Sequence, residues 1–76
     1  MKYNVQLVEV QGDQVEFADL IGTTGKLFRG EGNKPTFMPE NRTDWLSMAA
    51  RFVSDDGEKV VVKTKLGNIF TFRILP

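Results

Sequence analysis

The sequence predicts an α+β domain that is mainly β: a small antiparallel sheet or partly closed β-barrel of about five strands, packed on one short helix near residues 44–53. Three observations lead there. Residues 59–75, KVVVKTKLGNIFTFRIL, have the β-branched and aromatic density of two strands around a glycine-centred turn. The N-terminal MKYNVQLVEV alternates as a strand does, and residues 44–53 alone gather apolar side chains on one side at 100° per residue. With 76 residues the chain makes a single domain, near the size at which one core only just suffices.

Taken in order, Tyr3, Val5 and Leu7 share a face, and Val8 and Val10 share the other. The apolar phase therefore slips near Leu7 and Val8, which marks a bulge or a strand covered on both faces. Gly12-Asp13 offers a tight turn, after which Val15, Phe17 and Leu20 continue as a second strand. In that register Val10 faces Val15 and Val8 faces Phe17, but Glu9 faces Glu16, so either the turn is longer or a neighbouring basic strand relieves the repulsion.

Residues 22–41 are rich in glycine and proline. Residues 26–29 read as a short strand, 30–35 as a turn, and 36–38 as a brief extended segment stopped by Pro39. In residues 44–53, Trp45, Leu46, Met48, Ala49, Phe52 and Val53 fall on one helical side and Asp44, Ser47 and Arg51 on the other, with Thr43 as N-cap. Such a helix would lie on the sheet with Trp45 and Phe52 inserted among Val60, Val62, Phe70 and Phe72. Residues 54–57, Ser-Asp-Asp-Gly, would end it and turn the chain into the C-terminal hairpin.

Two registers are open to that hairpin. A two-residue turn at Gly67-Asn68 pairs Lys65 with Phe70 and Lys63 with Phe72, mixing charge and aromatic rings on one face. A three-residue loop of Lys65, Leu66 and Gly67 pairs Thr64 with Asn68, Val62 with Phe70 and Val60 with Phe72. The second separates apolar from charged side chains, and a buried face specifies register strongly. It is the register expected, with both rings in the core, where burying each contributes about 1.5–3 kcal/mol.

Ten basic and ten acidic residues balance, but unevenly along the chain. Residues 1–25 carry one lysine against four carboxylates, a net of −3, and residues 59–76 carry three lysines, one arginine and no acid, a net of +4. The structural interpretation sets the two terminal hairpins side by side with cross-strand ion pairs between exposed rows. The functional one is a phosphate-binding ribbon of Lys59, Lys63, Lys65 and Arg73, joined by Lys26 and Arg29. A net charge of zero gives little long-range attraction to a polyanion, which favours the former.

Other chemistry is sparse. With neither Cys nor His, disulfides, the usual zinc ligands, the commonest general base and a thiol nucleophile are all missing, so no catalytic residue, cofactor or metal is expected. GTTGK at residues 22–26 has two residues between its glycines where a phosphate-binding loop needs four, and reads as a turn. Asp55, Asp56 and Glu58 crowd one turn instead of alternating along a calcium loop. The glycosylation pattern Asn41-Arg42-Thr43 signals only a surface position. No apolar run reaches 18 residues, so a soluble cytoplasmic protein without membrane contact is the expectation. The function expected is that of a non-catalytic protein-binding module or small regulatory protein, with an unknown protein partner or self-association. Nucleic-acid binding through the basic C-terminal hairpin is the alternative.

Overall fold

The computed structural model describes residues 2–12, 19–30, 32, 34–40, 46–47, 50–65 and 67–76. They form strands β1 (Lys2–Gln11), β2 (Thr24–Arg29), β3 (Pro35–Pro39), the two-residue β4 (Leu46–Ser47), β5 (Ala50–Asp55), β6 (Lys59–Thr64) and β7 (Ile69–Ile74). Every pairing is antiparallel, in the order β4-β3-β2-β1-β7-β6-β5. Among the described residues there is no α-helix, and none long and apolar enough to cross a membrane.

The sheet curls into a half-barrel because the chain requires it. Strands β4 and β5 stand at opposite edges, yet only residues 48 and 49 separate them. Three residue steps reach at most about 11 Å, so the two edges must approach. Bulges help: the register shifts between Leu7 and Glu9 in β1 and between Phe52 and Ser54 in β5, and a bulge bends and twists its strand. The first is the phase slip expected at Leu7 and Val8; Val8 is the extra residue and is 38% exposed.

The concave face is the core, and the sheet covers itself. Val5 and Leu7 from β1, Leu27 from β2, Phe37 from β3, Val60 and Val62 from β6, and Phe70 and Phe72 from β7 are buried, together with Leu20 from the β1–β2 connection. The Phe37 and Phe72 rings meet across the hollow with centroids 5.1 Å apart, tilted by 59°. Leu20 is tied to β1 by the backbone, since the Gly22 amide donates to the Leu7 carbonyl and the Leu7 amide to the Thr23 carbonyl.

The C-terminal hairpin has the expected register. Val62 pairs with Phe70 and Val60 with Phe72, the Thr64 amide donates to the Asn68 carbonyl at 2.8 Å, and Gly67 adopts φ +90°. The strand, turn and extended segment expected in residues 26–39 are also present, as β2, a turn closed by the Gly30 amide on the Lys34 carbonyl, and β3. Prolines limit what β3 offers on its outer side. The Glu40 amide donates to Thr24, so even-numbered residues of β3 bond to β2, and Pro35, Phe37 and Pro39 turn toward β4. Two of those three lack an N–H, and β4 pairs only at Thr36 and Phe37.

The helix expected at residues 44–53 is not formed where the chain is described. Leu46–Ser47 and Ala50–Val53 are strand, while Thr43, Asp44, Trp45, Met48 and Ala49 lie outside the described residues. Tertiary pairing overrides the helical pattern: Phe52 pairs with Val62, and β5 satisfies the edge of β6 that β7 leaves open. The bulge at Val53 explains the misreading. Ala50, Arg51 and Phe52 alternate inward and outward, and the inserted Val53 then breaks the period of two. The tight turn and second strand expected at residues 12–20 fall mostly outside the described residues. Leu20 itself is buried in a connection instead of a strand, and Val10 takes Phe70 of β7 as partner.

Candidate functional site

Strand parity sorts the six basic residues singled out by sequence. Lys59, Lys63 and Arg73 stand on the convex face of β6 and β7, Lys65 is exposed in their turn, and Lys26 is exposed on the convex face of β2. Two strand spacings separate β2 from β7 and three separate it from β6, about 10 and 14 Å along the sheet, so Lys26 lies outside the β6–β7 hairpin. Arg29 belongs to the other face altogether.

The Arg29 guanidinium lies 4.2 Å over the Phe52 ring, and its NH2 nitrogen is 4.0 Å from Asp55 Oδ2. The Tyr3 hydroxyl donates to the same oxygen at 2.6 Å. Tyr3, Arg29, Phe52 and Asp55 therefore fasten β1 and β2 to the edge strand β5 across the hollow, a structural role that sequence spacing could not show. The bond from Tyr3, then the Gly57 amide, hold the Asp55 carboxyl below its ordinary 3.8, while the bond to Asp55 and then burial raise Tyr3 above its ordinary 10.0. Since the Asp55 value is lowered by folding, its contribution is complete above the unfolded value and is lost as pH falls through the folded one. Tyr3, raised by folding, contributes below pH 10.0 and loses that contribution as pH climbs past it. Asp55→Asn should thus lose less stability than the wild type between pH 7 and pH 3, as read by denaturation midpoints; parallel profiles would remove Asp55 from the latch.

The acidic turn acts as a cap. Asp56 Oδ1 accepts from the Lys59 amide at 2.7 Å and the Glu58 amide at 2.9 Å, and those two bonds hold Asp56 below its ordinary value, while Asp55 Oδ1 accepts from the Gly57 amide. It joins β5 to β6, not a helix to a strand. Of residues 22–26, expected as a turn, Gly22 ends a turn and Thr24, Gly25 and Lys26 already belong to β2. Among the described residues, no cluster of His, Cys, Asp or Glu could hold a metal ion.

On the convex face, β1 and β7 are neighbours, as the charge asymmetry suggested, but direct ion pairs do not form between them. Arg73 stands opposite Gln6 and donates to its Oε1 at 2.7 Å, while Glu9 stands opposite Thr71 and accepts from Gln11. What the face offers instead is a ribbon on β5 and β6. At one end Lys59 faces Arg73 on β7 and has Asp56 on its other side, which offsets the repulsion; at the other Lys63 faces Arg51, a like-charge pair that costs stability. Half-buried Val61 lies between the two ends opposite Ser54, next to the bulged Val53, which is 55% exposed. Arg51, Lys63 and Lys65, with Ala50 and Thr64, line a cleft of about 460 Å³. Arg51 and Val53 were missed in the sequence because the helical pattern assigned them to other surfaces; the alternation of Ala50, Arg51 and Phe52 was the available signal. Phe70 and Phe72 are 1% and 0% exposed, so no aromatic platform accompanies these cations. Comparison of the chain with protein families, characterised proteins and solved structures finds no match.

Proposed function

We propose that the protein is a non-catalytic protein-binding module that meets its partner through the convex face of the β5–β6 hairpin. The observation that carries this reading is the exposed Val53, next to the half-buried Val61 and bordered at both ends by cations. An apolar centre with a charged rim is the anatomy of a protein interface, and a half-exposed valine on an edge strand is otherwise a liability. The absence of His and Cys from the chain leaves few groups for acid–base or nucleophilic work, in keeping with a binding role.

A photo-crosslinker at position 53 should capture a specific partner from the protein's own cell extract, and the same probe at position 26 should not. Val53→Asn should lower partner recovery about tenfold, the loss expected at the centre of an interface. A strictly monomeric protein that recovers no specific partner would defeat the proposal. Nucleic acid is the competing ligand, because Lys59, Lys63, Lys65 and Arg73 crowd one hairpin. Titration with labelled single-stranded and duplex DNA and RNA at low salt decides it: no binding at tens of micromolar, roughly where non-specific complexes form under such conditions, removes that reading.

A further inference from the structure

The geometry points to the chemical class of that partner: an extended acidic segment, with carboxylates four residues apart flanking an apolar side chain, laid along the convex face of β6. This rests on the β5–β6 hairpin being the docking surface. Because the Thr64 amide bonds to Asn68, residues 60, 62 and 64 bond to β7, and Val61 and Lys63 bond to β5. Arg51 and Lys63 therefore form a backbone-bonded pair, with Cα atoms about 5.5 Å apart and both side chains on the convex face. Lys65 opens onto the same cleft. On its other side Lys63 faces Ile69, and Ile69 faces Gln11, so neighbouring strands supply no acid there. Among the described residues, no carboxylate lies within 4.0 Å of either cation. An anion from outside relieves this repulsion.

The spacing identifies what carries the anion. Successive same-face residues on a strand repeat at about 6.8 Å, so Lys63, Val61 and Lys59 form a row of cation, apolar and cation. An extended segment has the same repeat. With an acid over Lys63, its residue two positions on reaches Val61 and Val53, and its residue four positions on reaches Lys59. A nucleic acid has phosphates for the two ends, but the rings that could stack on its bases are buried and the formal charge of the chain is zero.

The test is a titration of the whole protein, followed through backbone amide NMR shifts, with three probes at low salt. These are acetyl-Thr-Glu-Thr-Val-Thr-Glu-Thr-amide, the same peptide with Gln for Glu, and an eight-residue oligothymidylate. The Glu peptide should shift the amides of Arg51, Val53, Lys59, Val61 and Lys63, and its binding should weaken severalfold at physiological salt, as expected for exposed ion pairs. Arg51→Glu should weaken it about tenfold through repulsion at the rim. The same variant turns the Arg51–Lys63 repulsion into attraction, so its melting midpoint should rise by about 4 °C. Binding lost together with a raised midpoint cannot come from misfolding. Equal shifts from the Glu and Gln peptides overturn the acidic assignment while leaving the hairpin as the docking surface. Shifts from neither peptide overturn both, and shifts from oligothymidylate alone assign the ribbon to nucleic acid.

Discussion

Phe72→Ala is expected to cost about 3–5 kcal/mol, the range for a fully enclosed phenylalanine. Phe72 is 0% exposed, pairs with Leu7 on one side and Val60 on the other, and meets the Phe37 ring at 5.1 Å across the hollow. No helix fills that space among the described residues, so neighbouring side chains can collapse into it only by flattening the curl of the sheet. A domain of this size has a total stability of about 4–11 kcal/mol, so the variant loses a large fraction of it. Chemical denaturation followed by far-ultraviolet circular dichroism measures the loss. A cost below about 1.5 kcal/mol, typical of a half-exposed side chain, would show that the ring is not a keystone of the half-barrel.

The second large effect is expected from the smallest possible change, Gly25→Ala. Gly25 lies in β2 between Val5 and Pro39, and a Cβ there would stand 2.3 Å from the Met38 carbonyl oxygen and 2.8 Å from Pro39 Cα. Both obstacles are backbone, so no side-chain rotation relieves them. Strand β3 would have to move away from β2, stretching the Glu40–Thr24 backbone bond at 2.9 Å and the Thr24–Glu40 side-chain bond at 2.7 Å. Overpacking of this kind costs about 1–3 kcal/mol or more, and the backbone clash places it at the upper end. In a domain of this length that lowers the melting midpoint by roughly 10 °C or more. A melting curve unchanged within a degree or two would mean that β3 does not press on β2 as closely as described.

Both effects depend on a curl that the sequence reveals only in pieces. The hairpin of β6 and β7 was legible because its two registers differ sharply in how they separate valine and phenylalanine from lysine, and only one buries an apolar face. The bulge in β1 was legible as a phase slip at Leu7 and Val8. The same device in β5 was not, because one inserted residue in a six-residue strand erases the alternation and leaves Phe52 and Val53 looking like neighbours on a helix. Of the candidate site, the cations of β6 and β7 were found through their charge. Arg51 was not, since it joins Lys63 only through a strand pairing, and Arg29 was grouped with them although strand parity turns it to the concave face beside Asp55.

The features legible from the residues are local: which segments extend, where glycine and proline interrupt them, which face of each clear strand is apolar, and which end of the chain is basic. These follow from the period of side chains along a backbone and from residue-by-residue conformational limits. The tertiary structure alone decided that residues 50–55 pair as a strand, that opposite edges of the sheet approach and let it cover its own core, and that Arg51 and Lys63 stand together beside two valines. Those outcomes depend on contacts between residues distant in the chain, whose energies outweigh the weak local preferences that a reading of the sequence can weigh.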